Sequence, residues 1–325
     1  MIYLRYLYSI LGSLLLVIII YLSAVFYQVG TPTETSLAKY ELYKIKSSIV
    51  KLSKTQKLLI ISGSNALEGI SCKIIEEETK FPCVNGSTSI SVGIDYLLHY
   101  ARSWAKPGDI VLLPLEYTHY QNDGKPFDEL VDYVISRDPK YLLSANLITK
   151  IRILGGVSFS NLLVKRISQP KFPQLGTNIS QEIAVNKYGD KTNNIETNMT
   201  PELLKKRNEF EPLRFGGYIK SSHGMESISN FKNWCKQNNI KVIATWPNTM
   251  KFEIYNEFRQ QEFFRSIENF YKSIGVPLLG KPEDFMYNKS MLYDAPYHLN
   301  DRGVRQRTRQ LIDLLRPYLP RAVFL

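Results

Sequence analysis

The chain is poor in the residues that build most metal and redox sites. It carries 3 cysteines and 4 histidines in 325 residues. It has no Cys-x-x-Cys pair, no His-Glu-x-x-His and no EF-hand loop, so neither a structural zinc cluster nor a catalytic metal is encoded in recognisable form. No Gly-x-Gly-x-x-Gly follows a strand-like run, and the phosphate-loop pattern ending in Gly-Lys-Ser/Thr is missing, so nucleotide cofactors are not indicated. The expectation is a protein that works with no cofactor. A dense basic run interleaved with aromatics is also lacking. The 41 lysines and arginines are dispersed, so the net charge of +11 points to an anionic membrane surface or anionic polymer and not to nucleic acid.

One further absence is informative. Between Tyr6 and Thr33 there is no charged residue. The core of this stretch, Leu11 to Val25, reads LGSLLLVIIIYLSAV, and as a helix the uncharged run can cross a hydrocarbon layer of about 30 Å. Tyr6, Tyr8, Tyr21 and Tyr27 lie near its ends, where interfacial aromatics belong. Ser23-Ala24 supplies small residues but no good A-x-A cleavage site, so the segment reads as an uncleaved signal anchor spanning at residues 7–27. Lys39, Lys44 and Lys46 follow the span, and the positive-inside rule applied to them favours a cytoplasmic C-terminal part. The very short N-terminal tail favours the opposite, extracytoplasmic orientation.

With 44% hydrophobic and 22% charged residues, the rest has ordinary globular composition and fits one large domain with an insertion. We divide it into an anchor at 1–30, a solvated helical stalk at 31–56, and an α/β domain at 57–325 with an irregular Asn/Thr/Lys-rich insertion at about 168–222. Buried-strand signals occur at Leu58–Ser62, around Pro82–Val84, and at Ile110–Pro114, Lys241–Thr245 and Val276–Leu279. Helical periodicity covers Asn65–Glu78, Ser89–Ala105, His223–Gln237, Phe252–Ser273 and Asp301–Leu315. Strands alternating with helices predict a parallel sheet covered on both faces, a three-layer flavodoxin-like sandwich. Cys72 and Cys83 either bridge, in an oxidising compartment, or are two small buried residues; Cys235 is left over.

Two short segments carry the chemistry. Leu58-Leu59-Ile60-Ile61 runs into Gly63-Ser64-Asn65, which puts a serine at the carboxyl edge of a strand, where open α/β sheets bind ligands. Asp294-Ala295-Pro296-Tyr297-His298-Leu299-Asn300 precedes the final helix and offers a base with an acid to fix its tautomer. Capping alone also explains Ser64 and Asn65. His119 and His223 are competing bases, and His99 reads as a helix residue.

These residues, together with Val84-Asn85-Gly86-Ser87 and Gly303, resemble the SGNH (GDSL-type) hydrolase superfamily over roughly Lys57 to the C-terminus. The closest flavour is its membrane-anchored branch, with the alginate O-acetylation and D-alanyl transfer proteins. The resemblance implies Ser64 as nucleophile, His298 as base and Asp294 as its orienting acid, with the Ser64 and Gly86 amides in an oxyanion hole. It also implies an extracytoplasmic domain acting as an esterase or O-acyltransferase on cell-surface polysaccharide, with an acyl-carrying or membrane acyltransferase partner. Two departures stand out. The third block, normally Gly-x-Asn-Asp, reads Pro114-Leu115-Glu116-Tyr117, so Glu116 or Tyr117 would line the site instead. The Asp–His spacing is four where three is usual. Asn248, ending the fourth strand, is a further candidate donor to substrate, and Tyr117, Tyr120, Trp246 and Tyr297 are candidate sugar-stacking rings. The alternative is a non-catalytic scaffold of the same fold that binds polysaccharide or a membrane acyltransferase.

Overall fold

The structure is a computed structural model and describes residues 2–157 and 183–320. In chain order the helices are α1 (Ile2–Gln28), α2 (Glu34–Leu52), α3 (Ser64–Leu67), α4 (Cys72–Thr79), α5 (Gly93–Trp104), α6 (Tyr117–Tyr120), α7 (Asp128–Arg137), α8 (Pro139–Ser144), α9 (Leu147–Gly155), α10 (Pro201–Asn208), α11 (His223–Gln237), α12 (Phe258–Ser273) and α13 (Asp301–Leu315). The strands are β1 (Leu58–Ile60), β2 (Cys83–Asn85), β3 (Ile110–Leu113), β4 (Lys241–Thr245), β5 (Thr249–Met250), β6 (Leu278–Leu279) and β7 (Met286–Tyr287). The chain falls into two compact units, 1–40 with 125–179, and 41–124 with 180–325.

The first unit joins α1 to α7, α8 and α9. Residues Tyr3–Gln28 of α1 are long and apolar enough to cross a membrane, and the large side chains from Tyr3 to Ile20 are exposed. Cover begins at Tyr21, whose hydroxyl donates to the carbonyls of Leu154 (2.7 Å) and Val157 (2.8 Å). Gly30, at φ +79°, turns the chain and donates its N–H to the Ile135 carbonyl at 2.8 Å. Thr33 and Thr35 then donate to the Asp132 carboxylate, and Lys39 pairs with Glu129 at 2.5 Å.

The second unit holds the main sheet, in the order β2-β1-β3-β4-β6 with every neighbouring pair parallel. This is the flavodoxin-like doubly wound order, and its topological switch point lies between β1 and β3. Both faces of β1 and β3 are buried, as parallel sheets require. Leu58, Ile60, Ile110, Leu112 and Ile243 point to one face and pack with Ile70 and Ile75 around α4 and with Leu311, Ile312 and Leu315 of α13. The five strand runs read from the sequence are the five strands of this sheet. The helix expected over Asn65–Glu78 is two helices broken at Glu68–Ser71. There Gly69 sits so close to the Asn65 carbonyl, Arg307 and Asn248 that a Cβ has no room. The second helix starts afresh with Ser71 as its N-cap.

Two organisational expectations are corrected. The stretch read as a solvated stalk is α2, one face of which is buried. Tyr43 packs on Tyr96, Tyr100 and Trp104, its hydroxyl accepts from Thr88, and Val50 is buried two turns on. The apolar stripe was masked by its lysines, one of which, Lys46, is itself inside. Its ammonium is fully buried and donates to the carbonyls of Asn85 (2.8 Å) and Gly189 (2.5 Å). The insertion read at about 168–222 lies outside the described residues over 168–182. Its remainder belongs to the second unit and is ordered by polar anchors: Asp190 caps α4 by accepting from Ser71 Oγ and from the Cys72 and Lys73 amides.

Lys46 yields a pH prediction. Burial, only partly offset by Asp190 and Glu68, pulls its pKa from 10.5 down to about 7. Above pH 7 the unfolded chain therefore binds the extra proton, and stability rises with pH toward the ordinary lysine range. Urea midpoints measured from pH 7 to 9 will show this upward slope in the wild type relative to Lys46→Met. Identical slopes in the two proteins would refute it.

Candidate functional site

Ser64 opens α3 at the carboxyl end of β1, on the switch-point side facing the loop after β3. The chain is sharply constrained there. A Cβ on Gly63 would collide with Glu116 and with the Ile90 backbone, so only glycine lets the loops meet behind the serine. Glu116, buried to 1% exposure, clamps the turn: its carboxylate accepts the amides of Gly63 (3.0 Å) and Asn65 (3.1 Å) and the Ser62 hydroxyl (3.1 Å). The Ser64 amide, between the two clamped ones, donates to no described residue, and the half-buried Ser64 hydroxyl likewise makes no hydrogen bond among the described residues.

Burial alone would raise the Glu116 pKa. The neighbouring His119, with Nε2 at 3.3 Å, and the two contacts from Asn65 outweigh it and hold the carboxyl at about 2. It is therefore a fixed anion at all ordinary pH values.

His298 lies in a tight loop. The Tyr293 amide donates to the His298 carbonyl at 2.8 Å, the His298 amide donates to the Ala295 carbonyl at 3.1 Å, and an isolated bridge pairs Leu292 with Leu299. This curl brings Asp294 Oδ1 to 2.6 Å from His298 Nδ1, so the spacing of four still delivers an acid–base pair, and Nε2 makes no hydrogen bond among the described residues. Burial would depress the imidazole pKa; the hydrogen bond that His298 Nδ1 donates to Asp294 and the charge of Glu68 override this and raise it above 6.5. Burial would conversely raise Asp294, but the bond to His298 lowers it.

Asn194 joins the two halves. Its side-chain amide donates to the carbonyls of Glu68 (3.1 Å) and Leu299 (2.7 Å), tying the helical turn that Ser64 opens to the residue after His298.

Beneath them lies a hub that sequence reasoning missed. Arg307 of α13 is fully buried. Its guanidinium donates to the Asn65 carbonyl (3.0 Å), Asn65 Oδ1 (3.2 Å), the Trp246 carbonyl (3.3 Å) and the Asn248 side chain. Burial lowers its pKa to about 10, so it stays charged. Its signal in the sequence was slight: one arginine on the face of α13 that also carries Leu311, Leu315 and Gly303.

Five expected oxyanion or substrate contacts are corrected. The Gly86 amide is spent on the Ile60 carbonyl at 2.9 Å as β2 leaves the ladder. Asn65 is fully buried and donates through its side chain to Ser62 and to the Pro114 carbonyl. Glu116 supports the serine turn from inside. Tyr117 is buried in an aromatic cluster with Phe215, Trp246, Phe263 and Phe264. Asn248 donates to the Tyr297 carbonyl at 2.7 Å and accepts from Arg307. Tyr120 and Trp246 are also buried and offer no ring to a sugar.

The competing bases are occupied otherwise. His119 is buried beside Glu116. His223 presents the same nitrogen, Nε2, to Asp95 (2.7 Å) and Ser227 (3.4 Å), a tie between α5 and α11 that cannot relay a proton from serine to acid through two ring nitrogens.

No protein-family model and no curated protein matches the chain. Among solved structures it is similar to a lipolytic protein of the G-D-S-L family from Desulfitobacterium hafniense, at 10% identity and a TM-score of 0.38, covering 80% of this chain and 100% of that one. It is also similar to the protein YXIM of Bacillus subtilis, at 10% identity and a TM-score of 0.35, covering 81% of this chain and 57% of that one. Likenesses of this grade assign no chemistry, which has to come from the residues themselves.

Proposed function

We propose that the chain is a membrane-anchored serine esterase or O-acyltransferase of SGNH character, acting through Ser64, His298 and Asp294. The observation that carries this is the 2.6 Å Asp294–His298 pair on a loop joined through Asn194 to the turn that Ser64 opens. In the reaction, Ser64 Oγ attacks an ester carbonyl while His298 Nε2 takes its proton. Asp294 holds the imidazole tautomer and stabilises the imidazolium. The Ser64 amide, left open by the Glu116 clamp on its neighbours, then donates to the developing oxyanion. Collapse expels the alcohol, which recovers the proton from His298. Water or a carbohydrate hydroxyl then takes the acyl group from Ser64.

An extracytoplasmic placement of the catalytic part is supported by the Cys72–Cys83 disulfide, a bond that oxidising compartments preserve. Cell-surface polysaccharide as acceptor, and an acyl-carrying or membrane acyltransferase partner, complete the proposal. The loss of the Gly86 amide to the sheet ladder favours a second reading, a scaffold of the same fold with no turnover.

Labelling of the full chain in detergent with a fluorophosphonate probe separates the two. The enzyme reading expects a wild-type band that is lost in Ser64→Ala and in His298→Ala. A folded wild type that takes up no label supports the scaffold.

A further inference from the structure

Helix α9 and the end of α8 carry an apolar surface that no described residue of the first unit covers. Leu143, Leu147, Ile148 and Ile151 are 76%, 71%, 62% and 61% exposed. Leu147, Ile148 and Ile151 lie at i, i+1 and i+4 and so share one face of α9. A patch of this kind on a water-facing surface is a liability and marks an interaction site.

The depth of this patch is fixed by α1. The last turn of α9 is held by Tyr21, through the carbonyls of Leu154 and Val157. Tyr21 lies inside the membrane-competent segment Tyr3–Gln28. At 1.5 Å per residue it is about 10 Å short of that helix's end. The uncharged run continues past it to Thr33. The C-terminal end of α9 is therefore held on the hydrocarbon side of the outgoing end of the span, about 10 Å inside it, a depth that the apolar face of an interfacial helix reaches. From Pro139 to Val157 there is no acidic residue, while Lys140, Lys150 and Arg152 are present. Apolar side chains on one face with long basic side chains nearby are what an interfacial helix presents to lipid.

We propose that α9, with Leu143 of α8, is a second membrane element: it lies in the interface of the bilayer that α1 spans, with Leu147, Ile148 and Ile151 in the acyl boundary. The occupant of the patch is lipid. The first unit would then be a membrane-seated platform. This is independent of the catalytic proposal, because it uses none of its residues.

The test uses the full chain in liposomes containing an anionic phospholipid. Cys72 and Cys83 are joined and Cys235 is buried, so a cysteine introduced at Ile148→Cys or Ile151→Cys can be labelled selectively with bimane. Asp128→Cys, exposed on α7 of the same unit, serves as the aqueous control. The expected result is that label at 148 and 151 loses most of its fluorescence to a nitroxide carried shallowly on the acyl chain and little to iodide, with the reverse at 128. Iodide quenching at 148 and 151 equal to that at 128 would overturn the proposal. So would protection from both quenchers, which would mean that protein, from a second copy or another membrane protein, covers the face. Ile148→Ser, with the label at 151, checks that the two positions report one surface: label at 151 remains lipid-quenched if the helix is seated and becomes iodide-accessible if it is not.

Discussion

Asp294→Asn should cut turnover of a small activated ester by about 10³–10⁴-fold while leaving the fold intact. An amide at this position can still meet His298 Nδ1, but it can donate to that nitrogen, which selects the tautomer whose Nε2 carries the proton and cannot accept one from serine. It also removes the negative charge that stabilises the imidazolium. The pH profile carries the same information. The base works when neutral, and the folded His298 pKa is raised above 6.5 by Asp294 and Glu68. Wild-type kcat/KM should therefore climb through an acid limb centred above the ordinary imidazole value, and in Asp294→Asn the residual activity should have that limb moved to lower pH. The stability linkage runs the other way. A raised histidine pKa contributes stability that is fully present below the unfolded-state value and is lost as pH rises through the folded one. Because the same bond lowers the Asp294 pKa, the substitution should cost most stability at mildly acidic pH, above the carboxylate range and below the imidazole one, and less in strong acid and in alkali. A profile that does not move on Asp294→Asn would remove His298 from the role of base.

Arg307→Met should destabilise the second unit by about 3–5 kcal/mol, as breaking a buried charged network does. The methionine fills much of the volume but leaves the Asn65 and Trp246 carbonyls and the side-chain oxygens of Asn65 and Asn248 without the donor that now serves them, and buried acceptors so abandoned each cost on the order of 1–3 kcal/mol. The fall in Tm should be on the order of 10 °C for a unit of this size. Arg307→Lys should recover little, because one ammonium cannot serve acceptors that the planar guanidinium reaches through two nitrogens. Thermal unfolding followed by tryptophan fluorescence is a direct readout, since Trp246 supplies one of the carbonyls. A Tm within about 2 °C of wild type would show that the hub is not structural.

Much of this protein was legible in its sequence because its signals are local. Each strand of the main sheet is an apolar run closed by a turn residue, and α11 and α13 were read from their helical periodicity at the bounds the structure shows, His223–Gln237 and Asp301–Leu315. The Asp294–His298 pair was legible for the same reason, being four residues apart. What escaped were contacts between distant segments. Glu116 and Asn248 were read as substrate contacts because they end strands at the right sheet edge. Whether a side chain at that edge turns out to a ligand or inward to a neighbouring loop depends on partners more than fifty residues away, such as Gly63 for Glu116. Arg307 and Lys46 were invisible because a buried cation carries the same letter as a surface one. Its burial becomes sensible only with the carbonyls of Asn65, Asn85 and Gly189 in place. The stalk failed likewise: the aromatic shelf on α5 that buries Tyr43 lies fifty residues downstream.

The catalytic account is tested most directly by trapping the covalent intermediate. Full-length protein in detergent would be mixed with an activated acetyl ester, quenched in acid within the first turnovers and digested for peptide mass mapping. The account predicts one added acetyl group, located on Ser64 and lost when the ester is chased with hydroxylamine. Acetyl groups scattered over surface lysines, with Ser64 unmodified in a protein that still hydrolyses the ester, would contradict it.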